Sequence, residues 1–224
     1  MGALDLDYML GLVPVLLRYL PLTLAMAAGA MVLALVLAVA LAMIRVLRVP
    51  VLDQLVQGFV SFFRGTPLLV QLFLFYYGLP QIIPAFSAIN GVQAAVAGLT
   101  LHFSAYMAES IRAAILGVDR SQWEATQAVG MTQLQAMRRI ILPQAARVAA
   151  PTLLNYFIDM IKSTSLAFTL GVTEMMGAAQ KEAASSFRYF EAFLLVAIFY
   201  WTVVETLSIV QRRLETRMNK AFAR

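Results

Sequence analysis

Residues 124–143, EATQAVGMTQLQAMRRIILP, form a polar and partly basic helical patch inside an otherwise strongly apolar chain. Met131, Leu134, Met137 and Ile141 recur at helical spacing, so one side of the patch can dock on something greasy. Gln133, Gln135, Arg138 and Arg139 take the other side. Gly130 separates two helix-forming runs, at a point where the chain can turn sharply or admit a close backbone. Pro143 has no amide hydrogen, so it ends the second run or opens the next helix. The pattern predicts a short helix, a bend and a second helix lying at a membrane surface. On composition alone, a basic amphipathic loop without a partner is the simpler reading.

The surroundings decide that the setting is a membrane. Of 224 residues 61% are hydrophobic and only 13% are charged, too apolar for a soluble domain of this length. The net charge of +5 does not point to nucleic acid, because the basic residues flank the apolar runs as membrane topology demands. With no cysteine, disulfides, thiolate nucleophiles and Cys-based metal sites are excluded. His102 is single and lies in an apolar run, which suits a packed or hydrogen-bonded side chain better than a ligand. The N-terminus has Asp5 and Asp7 where a cleaved signal peptide would be basic.

Five spans are expected, each of about 20 apolar residues. Residues 1–18 read as a short interfacial helix closed off by Arg18 and Pro21. The first span covers 19–44 and stops at Arg45, Arg48 and Pro50. An amphipathic elbow over 51–63 leads into the second, 64–79. Gly78, Pro80, Pro84, Asn90 and Gly91 then mark a turn. The third span is 91–114, the fourth 145–170 and the fifth 192–211, with a short helix or loop over 173–191 on the outer side. The loop after span three occupies about 119–146, and the whole chain, 1–224, reads as one domain. Thirteen Lys and Arg flank the loops after spans one, three and five, the C-terminal tail included, against three on the other side. That bias predicts the 119–146 loop and the C-terminus in the cytoplasm and the N-terminus outside.

Glu124-Ala125-Thr126, then Gly130, then Ile140-Ile141-Leu142-Pro143 resembles the EAA loop of ABC importer permeases, with Thr126 in place of the third alanine. Arg64-Gly65-Thr66-Pro67, Ala105-Tyr106-Met107-Ala108-Glu109, Gln122-Trp123-Glu124-Ala125 and Lys162-Ser163-Thr164-Ser165-Leu166 narrow the likeness to the polar amino-acid uptake permeases. It runs from about residue 21 to the C-terminus. The resemblance implies an all-α type I importer permease in a bacterial inner membrane. It implies ABC ATPase partners docked at Trp123, Glu124, Ala125, Gly130, Met131 and Leu134, and an extracytoplasmic substrate-binding protein. A second permease copy is also implied, with a homodimer favoured over a pair of unlike chains. ATP would be used by the partner and no cofactor held by this chain.

The residues themselves agree on where energy must enter. Nothing reads GxxxxGK[ST], so the chain has no P-loop for ATP. No nucleophile–base pair or metal cluster is spaced for catalysis. Asp159 and Lys162 are three apart on one helix, so they share a face and can pair. A lone charge at the bilayer centre costs roughly 2.5–3.5 kcal/mol on insertion scales, so such residues face a cavity or a partner. They line a path for a zwitterion or staple two helices. Asn155, Tyr156, Ser163 and Thr164 extend the polar stripe, and the hydroxyls weaken the helix by bonding to its backbone. Tyr106 and Glu109 continue the stripe on span three, where Glu109 can also pair with Arg112. Gln71 follows Arg64-Gly65-Thr66-Pro67, where Gly and Pro can break the helix and free backbone groups to face a substrate. Arg64 is expected to snorkel at the inner surface. Asp159 suits an ammonium group, and Lys162, Thr164 or Gln71 a carboxylate. In relatives that carry cationic amino acids, extra acids sit near the Lys162 motif; their absence here favours a neutral or zwitterionic substrate such as glutamine or cystine. The rival reading is a proton-coupled carrier or passive channel using Asp159, Lys162 and Glu205.

Overall fold

A computed structural model describes residues 4–220, among which every regular element is helical. Arg224 of the basic tail lies outside the described residues, as do the side chains of Arg217 and Lys220. The first helix, α1, runs Leu6–Val46. Asp5 caps it by accepting from the Tyr8 amide at 2.9 Å, and that bond holds its carboxyl below the usual carboxylate range. The expected break at Arg18 and Pro21 does not occur: Pro14 and Pro21 sit inside an unbroken helix. Each proline costs one ladder bond, which a packed membrane helix tolerates. At 41 residues α1 is roughly 60 Å long, about twice the hydrocarbon thickness. The expected interfacial helix is therefore the projecting end of the span itself.

Ala27, Ala30, Ala34, Ala38 and Ala42 form a fully buried stripe on α1 and belong to the main core with Leu99, Ala105 and Ala108 of α5 (Gly91–Leu116). Val32, Leu33, Val36 and Val39 look outward from α1. Small residues inside and branched ones outside is the pattern of a helix packed in lipid, where close backbone approach replaces the hydrophobic drive. Asn90 opens α5 with a capping box to Gln93.

Between them, α2 (Leu52–Gly65) buries Val56, Val60 and Phe63, and the chain bends by 110° before α3 (Leu68–Phe73). Pro67 causes the bend, since it forces Thr66 into an extended conformation (φ −118°, ψ 147°). A π-helical turn, Leu74–Gly78, leads into α4 (Leu79–Ile82). After α5 come α6 (Arg120–Ala128), α7 (Gln133–Ala136), a second π-helical turn (Met137–Ile141) and α8 (Leu142–Ser163). Each π turn directly precedes a proline-bearing helix start, at Pro80 and Pro143. A wider turn relieves the ring from the carbonyl four residues back. The helix tightens to 3-10 geometry over Thr164–Leu170, and α9 (Met175–Ser186) and α10 (Tyr189–Lys220) complete the bundle.

Among the described residues, two helices, Leu6–Val46 and Tyr189–Arg213, are long and apolar enough to cross a membrane by composition, and the bent pair α2 with α3–α4 adds a third when taken as one span. Both α5 and α8 carry polar residues within their length, among them His102 and Ser104 on α5 and Asn155, Asp159 and Lys162 on α8. The C-terminal ends of α1 and α5 meet at one end of the bundle, beside α6–α7. Leu12 and Leu16 of α1 pack with α9 and α10 at the other.

Candidate functional site: a polar stripe and a surface elbow

The α8 stripe takes its geometry from the fraying of the helix at Ser163. Three hydroxyls bond backward to carbonyls: Ser163 to Asp159 at 2.8 Å, Thr164 to Ile161 at 2.7 Å and Ser165 to Lys162 at 2.6 Å. They compete with the α-helical ladder, and 3-10 geometry begins at Thr164. Lys162 Nζ lies 2.7 Å from Asp159 Oδ1, and both side chains are about half exposed, 53% and 51%. Asn155 accepts from Gln211 of α10 at 3.0 Å. Thr164 is fully buried.

The Tyr156 hydroxyl lies 3.0 Å from the Ser110 hydroxyl on α5, and its ring lies 6.2 Å from that of Tyr106. Tyr106 in turn donates to the Arg64 carbonyl at 3.3 Å, and the Arg64 guanidinium sits over the Tyr106 ring, 5.4 Å from its centre. Arg64 thus stacks on an aromatic face as well as reaching outward. The structure brings together Tyr106 with Tyr156 and Asp159 with Lys162.

Gln71 and Glu109 are engaged elsewhere. Gln71 is 0% exposed, and its side-chain nitrogen donates to the Phe63 carbonyl (3.0 Å), the Thr66 carbonyl (3.1 Å) and the Thr66 hydroxyl (2.9 Å). Its oxygen lies 3.0 Å from His102 Nδ1, which also accounts for that lone histidine. The backbone groups freed by the break at Pro67 were expected to face a substrate. They are instead satisfied by Gln71, because a carbonyl left open in an apolar bundle costs too much. Glu109 pairs with Arg45 of α1 and, at 2.9 Å, with Arg112. Arg45 also reaches Asp53 of α2 at 3.4 Å. These four charges tie the ends of three helices together. Sequence spacing shows the Glu109–Arg112 pair but cannot show Arg45, 64 positions from Glu109.

The surface elbow is built from α6 and α7. Asp119 caps α6; hydrogen bonds from the Ser121 hydroxyl and amide hold its carboxyl below the usual range. Glu124 is exposed and pairs with Arg120 at 3.0 Å. Thr126, which stands where the EAA pattern has alanine, is buried and donates to the Trp123 carbonyl at 2.7 Å. Satisfied in this way, the hydroxyl is tolerated. Ala125, Val129, Met131 and Ile140, with Gln122 and Thr126, line a cavity of about 180 Å³. Gly130 has φ +75°, and a Cβ there would meet nothing within 4 Å. It is a turn glycine by conformation, with no close backbone against it. The apolar side expected over residues 131–141 is divided: Met137 and Ile141 are buried against the chain's own bundle, while Leu134 is 75% exposed. The π turn at Met137–Ile141 changes the register, so a single 3.6-residue stripe does not hold.

Sequence spacing also leaves a buried acid unmarked. Glu174, before α9, is fully buried. Its carboxylate accepts from the Gly177 amide (2.8 Å), the Thr23 hydroxyl (3.2 Å) and the Tyr200 hydroxyl (3.0 Å), joining α1, α9 and α10. An acid between Thr173 and Met175, with Val172 and Met176 beyond them, is the available signal.

The chain as a whole has known counterparts. Residues 30–220 match the model of the family described as binding-protein-dependent transport system inner membrane component. The chain is 66% identical over 220 residues to the probable amino-acid ABC transporter permease protein PatM of Vibrio harveyi, covering 98% of this chain and 99% of that one. It is 38% identical over 222 residues to the L-cystine transport system permease protein TcyL of Bacillus subtilis, with 97% and 93% covered. A crystal structure of an amino acid ABC transporter with histidines superposes with a TM-score of 0.89 at 32% identity, covering 97% of this chain and 100% of that chain. The chain belongs to the binding-protein-dependent transport system inner membrane component family and is the permease subunit of an amino-acid ABC transporter.

Proposed function

We propose that this permease carries a polar or zwitterionic amino acid, glutamine- or cystine-like, inward at the expense of ATP hydrolysed by a partner. The chain crosses the membrane five times, through α1, the bent pair α2 with α3–α4, α5, α8 and α10. The N-terminus lies outside, and the α6–α7 elbow and C-terminus lie in the cytoplasm, where the excess of Lys and Arg places them. Two such chains, two ABC ATPases and an external binding protein make the working assembly. One chain carries both the elbow and the stripe, so an identical second copy suffices.

The observation that carries this reading is continuity. From Gln133 through the π turn to Ser163 the chain is helical without a gap. That rod spans roughly 45 Å. At one end Leu134 and Val129 stand exposed beside Gly130, fit to enter a groove on an ATPase. At the other end sit Asp159 and Lys162. When two ATPases close on ATP, a push on the elbow moves the polar stripe as one body. Asp159 takes the substrate ammonium and Lys162 its carboxylate, and the two neutralise each other when the path is empty. Tyr106, Tyr156, Asn155 and Ser163 line the path, while Gln71, Glu109 and Thr164 hold the helices around it. The relative that carries L-cystine in its name supports a zwitterionic substrate.

The test is uptake of labelled glutamine or cystine into proteoliposomes holding the permease, its ATPase and its binding protein. Accumulation is expected only with ATP inside the compartment that holds the ATPase. Uptake that follows an imposed proton gradient without ATP would overturn the proposal.

A further inference from the structure

At the end of the bundle away from the elbow, a cavity of about 440 Å³ opens between α1 and α9, lined by Pro14, Arg18, Tyr19, Thr173, Lys181 and Glu182 among others. It holds two cations and one acid. Lys181 donates to the Thr173 hydroxyl at 2.6 Å. Neither Arg18, Lys181 nor Glu182 forms an ion pair among the described residues. A third cation at this end, Arg188, behaves otherwise: it pairs with Asp5 and lies over the Tyr8 ring. The cavity is thus lined with both signs of charge, none of it neutralised from within the protein.

We propose that this pocket binds a zwitterion carrying an anionic group and a primary ammonium, supplied as the phosphoethanolamine head group of a membrane lipid. Arg18 and Lys181 take the phosphate and Glu182 takes the ammonium, each through a charge-assisted hydrogen bond. A free amino acid has the same two charges. Arg18 stands at the outer border of the uncharged run 19–44, level with the head groups, and that position favours the lipid over a free solute. Head groups line both membrane faces, so the assignment rests on α1 lying in the bilayer and not on the direction of transport.

The experiment is native mass spectrometry of the purified complex offered phosphatidylethanolamine and phosphatidylcholine in equal amounts. A trimethylated ammonium has no hydrogen to give Glu182, so adducts with phosphatidylethanolamine are expected to exceed the others by about tenfold. Glu182→Gln should abolish this preference and keep both lipids. Arg18→Gln with Lys181→Gln should lose both. Arg18 and Lys181 are exposed and Glu182 is half-buried, and an unchanged unfolding temperature shows that the variants are folded. Equal retention of the two lipids by the wild type, or a preference that survives Glu182→Gln, overturns the proposal. Free glutamine that binds in the absence of lipid and displaces phosphatidylethanolamine overturns the lipid assignment. Uptake driven by ATP is read separately, so a failure of the transport reading leaves these outcomes distinct.

Discussion

The Thr23 hydroxyl donates to Glu174 at 3.2 Å and accepts from the Met175 amide at 3.1 Å, two bonds that fasten the start of α9 to α1. Thr23 and Glu174 are both 0% exposed. Valine has the shape of threonine without the hydroxyl, so Thr23→Val leaves the Met175 amide without a partner and takes one donor from Glu174. Destabilisation of about 1–2 kcal/mol is expected. Thr23→Ser keeps the hydroxyl and should stay close to the wild type. Thermal unfolding in detergent checks both. Equal stability of the valine and serine variants would show that the bonds contribute nothing.

A second prediction concerns Gly130. Its φ of +75° is costly for a side-chain-bearing residue, by roughly 1–2 kcal/mol, yet there is open space around it. Conformation alone therefore decides which residues fit. Gly130→Asn should be accepted, since asparagine visits the left-handed region with least strain. Gly130→Val should displace α7 and Leu134 and abolish co-purification of the ATPase while the permease stays in the membrane. If the valine variant retains the ATPase at the wild-type ratio, the elbow is not the dock.

How much of this was legible in the sequence depended on whether the signal was local. The bend at Pro67, the cap at Asn90, the turn at Gly130 and the fraying after Lys162 are set by residues within four positions, and each was readable. The core face of α1 is legible too, once small residues are read as the packed side of a membrane helix. Long-range partners were not. Gln71 looks like a substrate group until the Phe63 and Thr66 carbonyls are seen to need its amide. Glu109 looks like part of the stripe until Arg45 arrives from α1. The division of residues 131–141 depended on a π turn, which a 3.6-residue period cannot reveal.

The link between α1 and α2 stores strain that a single change should release. Val51 has φ 66° and ψ −52°, and the Leu52 amide bonds back to the Pro50 carbonyl at 2.7 Å. This is a γ-turn of the rare hand, occupied by a β-branched residue. Val51 is also 69% exposed, so its side chain packs little. Val51→Gly removes steric strain of about 1–3 kcal/mol against an entropic cost of roughly 0.5–1 kcal/mol. A net gain of about 1 kcal/mol in unfolding stability is expected from this difference. A loss of stability in chemical denaturation would mean that the turn is relaxed as it stands.

The Asp159–Lys162 pair can be separated from a mere staple by exchanging its members. A half-exposed pair contributes at most about 1 kcal/mol to stability, so neutralising either residue should scarcely change unfolding. A substrate held by one of these charges should lose roughly 1.5–3 kcal/mol of binding, a rise in KM of about 10- to 100-fold. Asp159→Asn and Lys162→Met are therefore expected to raise KM for uptake with little change in the amount of folded protein. The double exchange, Asp159→Lys with Lys162→Asp, restores the ion pair but reverses the order in which ammonium and carboxylate are met. A staple does not sense that order, whereas a binding site does. Uptake by the exchanged protein at the wild-type KM would assign the pair to holding α8 together, and uptake as poor as in the single variants would assign it to the amino acid.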